Sequence, residues 1–317
     1  MAKYEAAQQP TMYFIGVTTG KSSIMKVFPE WAEALGLINT VIKGIDIPIH
    51  ADRQEYVDVV KFIKEDPLSM GALVTTHKID LYNAASQYFD YLCPYANMFQ
   101  ELSCISKRNG KLCGHAKDPI SSGFALEQFV PANYWADNPQ AGVFIMGAGG
   151  SAISMCSYLM REEFKGNYPA KIYVANRSAP RLKEIEKINA VLDPFGIEFA
   201  YFLTPEPGQN DAVNAKMPEG SLIINATGLG KDRPGSPLTD NAKFPMKSLV
   251  WEINYRGDLR FLHQAEEQQK ERNLIVEDGW MYFIFGWTQV MSEVFDIQIE
   301  GELLAQLNSI ATKYTQR

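Results

Sequence analysis

The residues with the most chemical content in this chain are three small ones, Gly147, Gly149 and Ala152. They follow the apolar run Val143-Phe144-Ile145-Met146 and precede a helical pattern of apolar residues at Ile153, Cys156, Leu159 and Met160. The order is strand, tight turn, helix, with the spacing G-x-G-x-x-A. Gly147 permits a sharp turn, Gly149 lets a polyanion approach the backbone, and Ala152 lets the helix pack close to its sheet. A helix that starts at such a turn points free N–H groups and a partial positive charge at whatever lies there, which suits a pyrophosphate. With a strand before it and a helix after it, the stretch reads as a dinucleotide fingerprint rather than an ordinary glycine turn.

The next strand bears on which dinucleotide. In an NAD site an acidic residue ends that strand and binds the ribose hydroxyls. Here residues 171–175 run into Asn176-Arg177-Ser178, with no carboxylate to repel a 2′-phosphate. A guanidinium is planar and suits both stacking on adenine and pairing with phosphate. Arg177 is the expected contact, with Arg181 one helical turn on as a second clamp. NADP is therefore the expected cofactor, with NAD as the alternative.

The elements that position these residues follow from hydrophobic periodicity. Residues 12–17 form a short strand that ends in a hydroxyl-rich loop, residues 18–23. A helix follows, with apolar positions at Ile24, Val27, Phe28, Trp31, Leu35 and Leu37. Strands are expected at 39–47 and 71–75 and helices at 51–63 and 79–86. That alternation implies a largely parallel sheet. Residues 102–107 and 111–115 read as a hairpin about Arg108-Asn109-Gly110. Asp118 and Pro119 open a helix as N-cap and first helical residue. Residues 131–140 are the expected inter-domain loop. After the fingerprint come strands at 198–203, 221–225, 248–253 and 274–276, and helices at 180–192, 259–272, 280–294 and 301–314. The fold class is α/β with two domains. Residues 1–118, completed by C-terminal helices at about 290–317, form a substrate-binding catalytic domain; residues 119–289 form a Rossmann-type NADP-binding domain. The cleft between them is the expected active site.

Composition narrows the function classes. A chain of 317 residues suggests two domains. Its 46% hydrophobic and 21% charged residues suit a soluble globular protein. A formal net charge of -7 without a long basic run argues against nucleic acid or an anionic membrane as partner. No apolar stretch is long enough to span a bilayer, and the polar residues 1–10 do not read as a secretory signal. Cys93, Cys104, Cys113 and Cys156 lie apart, and His50, His77, His115 and His263 lack ligand spacing. Reduced thiols, a cytoplasmic location and no metal are expected.

Five stretches in order resemble the shikimate dehydrogenase family, with its quinate and aminoshikimate relatives, over residues 14–295. Its Asn-Val-Thr-x-Pro-x-Lys is similar to Gly71-Ala72-Leu73-Val74-Thr75-Thr76-His77-Lys78, and its Gly-x-Asn-Thr-Asp to Gly114-His115-Ala116-Lys117-Asp118. Its Gly-Ala-Gly-Gly resembles Gly147 to Gly150, its Asn-Arg-Thr Asn176-Arg177-Ser178, and its Ile-Asn-Ala-Thr Ile224-Asn225-Ala226-Thr227. The resemblance implies an NADP-dependent oxidoreductase of aromatic amino acid biosynthesis, acting on a CH–OH group. It makes Lys78 and Asp118 the catalytic pair. Alone, Lys78 would read as a surface lysine and Asp118 as an N-cap. Yet oxidising a secondary alcohol removes a proton from oxygen as hydride leaves carbon. An ammonium beside a carboxylate can hold that hydroxyl and relay the proton. Which of the two accepts it stays open. The implied cofactor contacts are Gly147, Gly149, Gly150, Ser151, Ala152, Asn176, Arg177, Ser178, Arg181, Ala226, Thr227, Gly228 and Gly279.

The departures from the family fall in the substrate pocket. Its Ser-x-Ser becomes Ser22-Ser23-Ile24. The segment before Lys78 is one residue short, so the asparagine has no equivalent and Thr75 or Thr76 takes the threonine's role. Ser103 replaces one substrate-binding asparagine, and Ala116-Lys117 replaces Asn-Thr. The family's tyrosine falls at Tyr255; its late glutamine becomes Gly286, with Gln289 one turn on. The implied substrate contacts are Ser22, Ser23, Thr75, Ser103, Tyr255 and Gln289. Losing several polar partners at once weakens binding of the old ligand. The expected substrate is thus a small cyclic polyol, shikimate-like but with quinate, aminoshikimate or another ring as alternatives. A catalytically inactive NADP-binding regulator is the reading from another class, and the retained Lys78 and Asp118 argue against it. Lys117 and Arg256 are expected as solvated charges, His77 and His115 as packing or solvent contacts, and Trp280, Phe283, Phe285 and Trp287 as core. Oligomeric state has no signal in the sequence.

Overall fold

The computed structural model describes residues 4–192, 196–231 and 233–314. The expected domain limits at residues 1 and 317 lie outside the described residues. The chain divides into two compact units, one made of Met1–Lys117 with Gly286–Arg317 and the other of Asp118–Phe285.

The first unit opens with β1 (Thr11–Gly16), α1 (Ile24–Ala34), β2 (Val41–Asp46), α2 (Arg53–Glu65), β3 (Ser69–Val74) and α3 (Lys78–Ala85). The strands β2, β1 and β3 are parallel neighbours, as the alternation of elements requires. Beyond them the chain adds β4 (Tyr91–Leu92), α4 (Pro94–Phe99), β5 (Cys104–Arg108) and β6 (Lys111–His115). The hairpin pair β5–β6 is antiparallel, and so is β5 on β3, so the sheet is mixed, in the order β2-β1-β3-β5-β6-β4. Its core gathers Ile15, Tyr56, Val60, Val74, Leu81 and Ile105.

The second unit contains α5 (Asp118–Leu126), α6 (Tyr134–Asp137), β7 (Val143–Met146), α7 (Gly150–Leu159), β8 (Lys171–Asn176), α8 (Ala179–Val191), β9 (Glu198–Leu203) and α9 (Pro207–Asn214). It continues through β10 (Leu222–Asn225), β11 (Leu249–Glu252), α10 (Arg260–Arg272), β12 (Ile275–Glu277) and the first turns of α11 (Trp280–Phe295). All six strands are parallel, in the order β12-β11-β10-β7-β8-β9. This is the doubly wound order, and its direction reverses between β7 and β10. Strands β7, β10 and β11 are buried throughout, consistent with helices on both faces. The later part of α11 and α12 (Gly301–Thr312) belong to the first unit, where Trp31 Nε1 donates to the Leu307 carbonyl at 2.7 Å.

Three local readings are corrected. Residues 131–140 lie inside the second unit and carry α6 rather than joining two domains. Asp118 is in the first turn of α5 rather than before it. The helix that begins there ends at Leu126, not Val130.

Candidate functional site

In the second unit the glycine turn sits where a doubly wound sheet binds ligands. Gly147 follows β7 with φ +116, and a Cβ on it would lie 2.4 Å from the Ala226 carbonyl oxygen. Only glycine combines that backbone with that approach. The Gly147 turn therefore lies against Ala226 and Thr227, at the carboxyl ends of the two strands flanking the switch point. The space beyond Gly149 is open, and α7 begins at Gly150 with Ser151 in its first turn. Open room over a helix N-terminus suits a pyrophosphate. Ala152 is fully buried, so α7 packs tightly there. The Ser151 hydroxyl is 3.1 Å from Tyr282 Oη.

Asn176, Arg177 and Ser178 follow at the end of β8, and the Arg177 side chain is exposed. Arg181 is exposed but already paired with Glu184 at 2.8 Å. On the other side of the switch point, Asn225 shapes the loop that holds Ala226, Thr227 and Gly228. Its Oδ1 accepts from the Thr227 N–H at 3.0 Å and from the Thr227 hydroxyl at 2.6 Å. Gly279 lies flat on the end of β11, since a Cβ there would fall 2.0 Å from the Ile253 carbonyl oxygen. All the residues assigned to the dinucleotide thus lie at one end of this sheet. Nearby, the Tyr255 ring packs at a tilt against Phe283 with centroids 4.6 Å apart and has the Arg256 guanidinium 5.9 Å from its centroid. Arg256 is thus drawn to an aromatic face. Trp280, Phe283, Phe285 and Trp287 are buried, as core residues should be.

In the first unit the hydroxyls collect at the carboxyl ends of β1, β2 and β3. Asp46 ends β2 and accepts from the Thr19 N–H at 2.8 Å and the Thr19 hydroxyl at 2.6 Å. That anchors the loop leading to Ser22 and to Ser23, which precedes α1. Thr75 follows β3, and its N–H donates to the Ile15 carbonyl at 3.0 Å. Lys78 opens α3, half-buried, with its N–H on the Thr75 carbonyl at 3.2 Å and its carbonyl accepting from Leu102 at 3.1 Å. Strand ends, Lys78 and residues 102–103 are thereby tied together by backbone hydrogen bonds. Ser103 is buried, and its hydroxyl accepts from the Lys117 N–H at 2.7 Å. Gln289 lies on α11 one turn after Gly286, whose missing Cβ leaves open space.

Lys117 is not a solvated charge. Its ammonium lies 2.5 Å from Glu293 Oε2, with the two side chains 16% and 21% exposed. His115 Nε2 is 3.4 Å from the same carboxylate and 3.1 Å from the Ser106 hydroxyl. Arg108 adds a hydrogen bond to the Glu293 carbonyl at 2.7 Å and a pair with Asp296 at 3.1 Å. Burial pushes His115 down to about 4, so it is neutral at pH 7. Burial acts to raise Glu293, but its bond to Lys117 and the surrounding cations outweigh that and hold it below the usual carboxylate range. His77 is 1% exposed, with Nδ1 3.2 Å from Tyr56 Oη, so packing is its setting.

Asp46, Glu252, Asn254 and Glu293 escape a reading by motif. The available signal is a carboxylate inside or ending an apolar element, as in Leu249-Val250-Trp251-Glu252. Among the described residues no group of His, Cys, Asp and Glu is placed to hold a metal ion, and no helix is long and apolar enough to cross a membrane.

No family model matches the chain. A shikimate dehydrogenase (NADP(+)) from Lactococcus lactis subsp. cremoris is 28% identical over 224 residues, covering 68% of this chain and 74% of that protein. Shikimate 5-dehydrogenase from Listeria monocytogenes, solved with shikimate and NAD, superposes with a TM-score of 0.72 at 18% identity, over 97% of this chain and 98% of that one. In sequence the chain is similar to shikimate dehydrogenases, and it shares their fold. Quinate dehydrogenase from Corynebacterium glutamicum, solved with NAD, shares the fold at a TM-score of 0.72 and 15% identity, over 96% of this chain and 99% of that one. In the first unit the Ser103 hydroxyl accepts a backbone hydrogen bond and Lys117 is drawn to Glu293.

Proposed function

We propose that the protein is an NADP-dependent dehydrogenase that interconverts a secondary alcohol and a ketone on a shikimate-like cyclic polyol. The observation that carries this reading is the Gly147 turn, seated against Ala226 at the switch point of a parallel sheet in a chain similar to shikimate dehydrogenases. The residues fit a dinucleotide: the open space over Gly149 and the start of α7 suit the pyrophosphate, and Arg177 suits a 2′-phosphate. A bound nicotinamide supplies the hydride chemistry. Lys78 holds the reacting oxygen and stabilises charge that develops on it. Asp118 takes part in moving the proton. Ser22, Ser23 and Thr75 orient the ring hydroxyls or carboxylate. The four free thiols suit a reducing, cytoplasmic setting.

The second reading keeps the chemistry and changes the ring to quinate, an aminoshikimate or a related polyol. It is favoured by Ser103, whose hydroxyl already accepts the Lys117 N–H in place of a substrate-binding asparagine. A panel of cyclic polyols, incubated with NADP or NAD and followed by near-ultraviolet absorbance of the reduced cofactor, separates the readings. Turnover of another ring without shikimate supports the second. Shikimate as best substrate overturns that reading of the pocket, and no turnover of any ring overturns the dehydrogenase assignment.

A further inference from the structure

Glu252 is the last residue of β11 and is completely buried. It pairs in register with Asn225, the last residue of β10. Its two oxygens accept three hydrogen bonds. Oε2 takes the Asn225 Nδ2 donor at 2.6 Å, and Oε1 takes the Asn254 N–H at 2.8 Å and its Nδ2 at 2.6 Å. The two asparagines then reach the loops above. Asn225 Oδ1 holds Thr227 by backbone and hydroxyl, while Asn254 Nδ2 also lies 3.2 Å from the Thr227 carbonyl and 3.3 Å from that of Leu229. The Asn254 carbonyl accepts from the Gly279 N–H at 3.1 Å. Ala226 in turn lies against Gly147. One buried carboxylate therefore underlies three segments, at residues 147, 226–229 and 279.

We propose that Glu252 is a positioning residue for cofactor binding, holding residues 226–229 and the Gly279 turn in the shape that receives the nicotinamide half of the dinucleotide; this rests on the dehydrogenase reading above. The three hydrogen bonds that reach the carboxylate all come from donors, so the network needs an acceptor at each oxygen. Burial works against the charged form and pushes Glu252 up to about 7, while the hydrogen bonds from Asn254 and Asn225 and the charge of Lys231 pull the other way. Asp278, on the adjoining turn, accepts the Trp280 N–H at 2.8 Å. Protonating Glu252 puts an O–H among donors and loosens both asparagines. Cofactor affinity is thereby tied to the ionisation of a residue that never touches the cofactor.

The test is equilibrium binding of NADPH, read by its fluorescence, to the full chain and to Glu252→Gln. The glutamine keeps the shape but sets an N–H₂ against donors. It is expected to raise the NADPH Kd about tenfold or more, with the loss falling on KM for the cofactor rather than KM for the polyol. The wild-type Kd is expected to weaken as pH falls from about 8 to about 6, around a carboxyl poised near neutrality, and that dependence should vanish in the variant. Wild-type affinity and the same pH profile in Glu252→Gln would overturn the inference. Should the variant fail to fold, a flat wild-type profile overturns it and a sloping one supports it. A wild-type chain that binds no NADPH would overturn the dehydrogenase reading and this inference together, whereas normal wild-type binding with an indifferent variant overturns this inference alone.

Discussion

Lys117 Nζ lies 2.5 Å from Glu293 Oε2, joining the residue before Asp118 to a helix far along the chain. Both side chains are mostly buried, so removing one strands the other's charge. Glu293→Ala should cost about 1–3 kcal/mol of stability, below the full cost for a wholly buried pair because both ends retain some solvent. Lys117→Met combined with Glu293→Leu should recover much of it. Urea denaturation midpoints check this; an unchanged midpoint in Glu293→Ala would show that the pair is not stabilising.

His115 gives the first unit a pH dependence of known sign. Its folded value is pushed down to about 4 by burial. An ordinary histidine titrates near 6.5. Between those values the unfolded chain binds the extra proton, so stability falls as pH drops through that window. His115→Gln, which keeps a partner for Ser106, should lose about 2 kcal/mol less than wild type between about pH 7 and pH 5. Glu252 acts with the opposite sign, losing stability as pH rises towards 7, and the difference between wild type and variant cancels it. Parallel losses in the two chains would contradict the assignment to His115.

These two cases show what a sequence read alone reaches. The second unit's strands were legible because they are short, apolar and separated by helix-length segments. The elements that went unread, β4, α4, α6 and α9, span only 2, 6, 4 and 8 residues, too short for periodicity to register. The mixed half of the first sheet was hidden for another reason: pairing direction depends on which strands meet, which periodicity does not encode. The residues assigned to the dinucleotide are local in sequence, each group a turn or a strand end, so their place at one end of the sheet is legible. Lys117 was misread because its partner is 176 positions away. Glu252 was missed because a single acid in a buried strand looks like an edge residue until Asn225 and Asn254 are seen around it.

Arg177 should decide between cofactors. Losing a charge-assisted contact to a 2′-phosphate costs about 1–3 kcal/mol, roughly ten- to a hundredfold in KM for NADP. NAD, lacking that phosphate, should be nearly unaffected by Arg177→Ala. Arg181→Ala should do less, because that guanidinium is already paired with Glu184. Steady-state kinetics with both cofactors checks this, and equal losses for NADP and NAD would contradict the role.

Gly147 should tolerate no side chain. Alanine there would carry φ +116 and place its Cβ 2.4 Å from the Ala226 oxygen. Backbone strain of this kind costs about 1–3 kcal/mol. Gly147→Ala is expected to melt earlier and to lose NADPH binding measured by calorimetry. Normal binding in a folded variant would remove the turn from the cofactor site.

Lys78 is expected to perform the chemistry while the other unit binds NADP. The direct measurement is NADP reduction by the best polyol of the panel in wild type and Lys78→Ala, with NADPH affinity measured on the same samples. The account predicts a rate lower by about a hundredfold or more, with NADPH affinity within about twofold of wild type, since no cofactor contact is assigned to Lys78. Unchanged turnover in Lys78→Ala would contradict it.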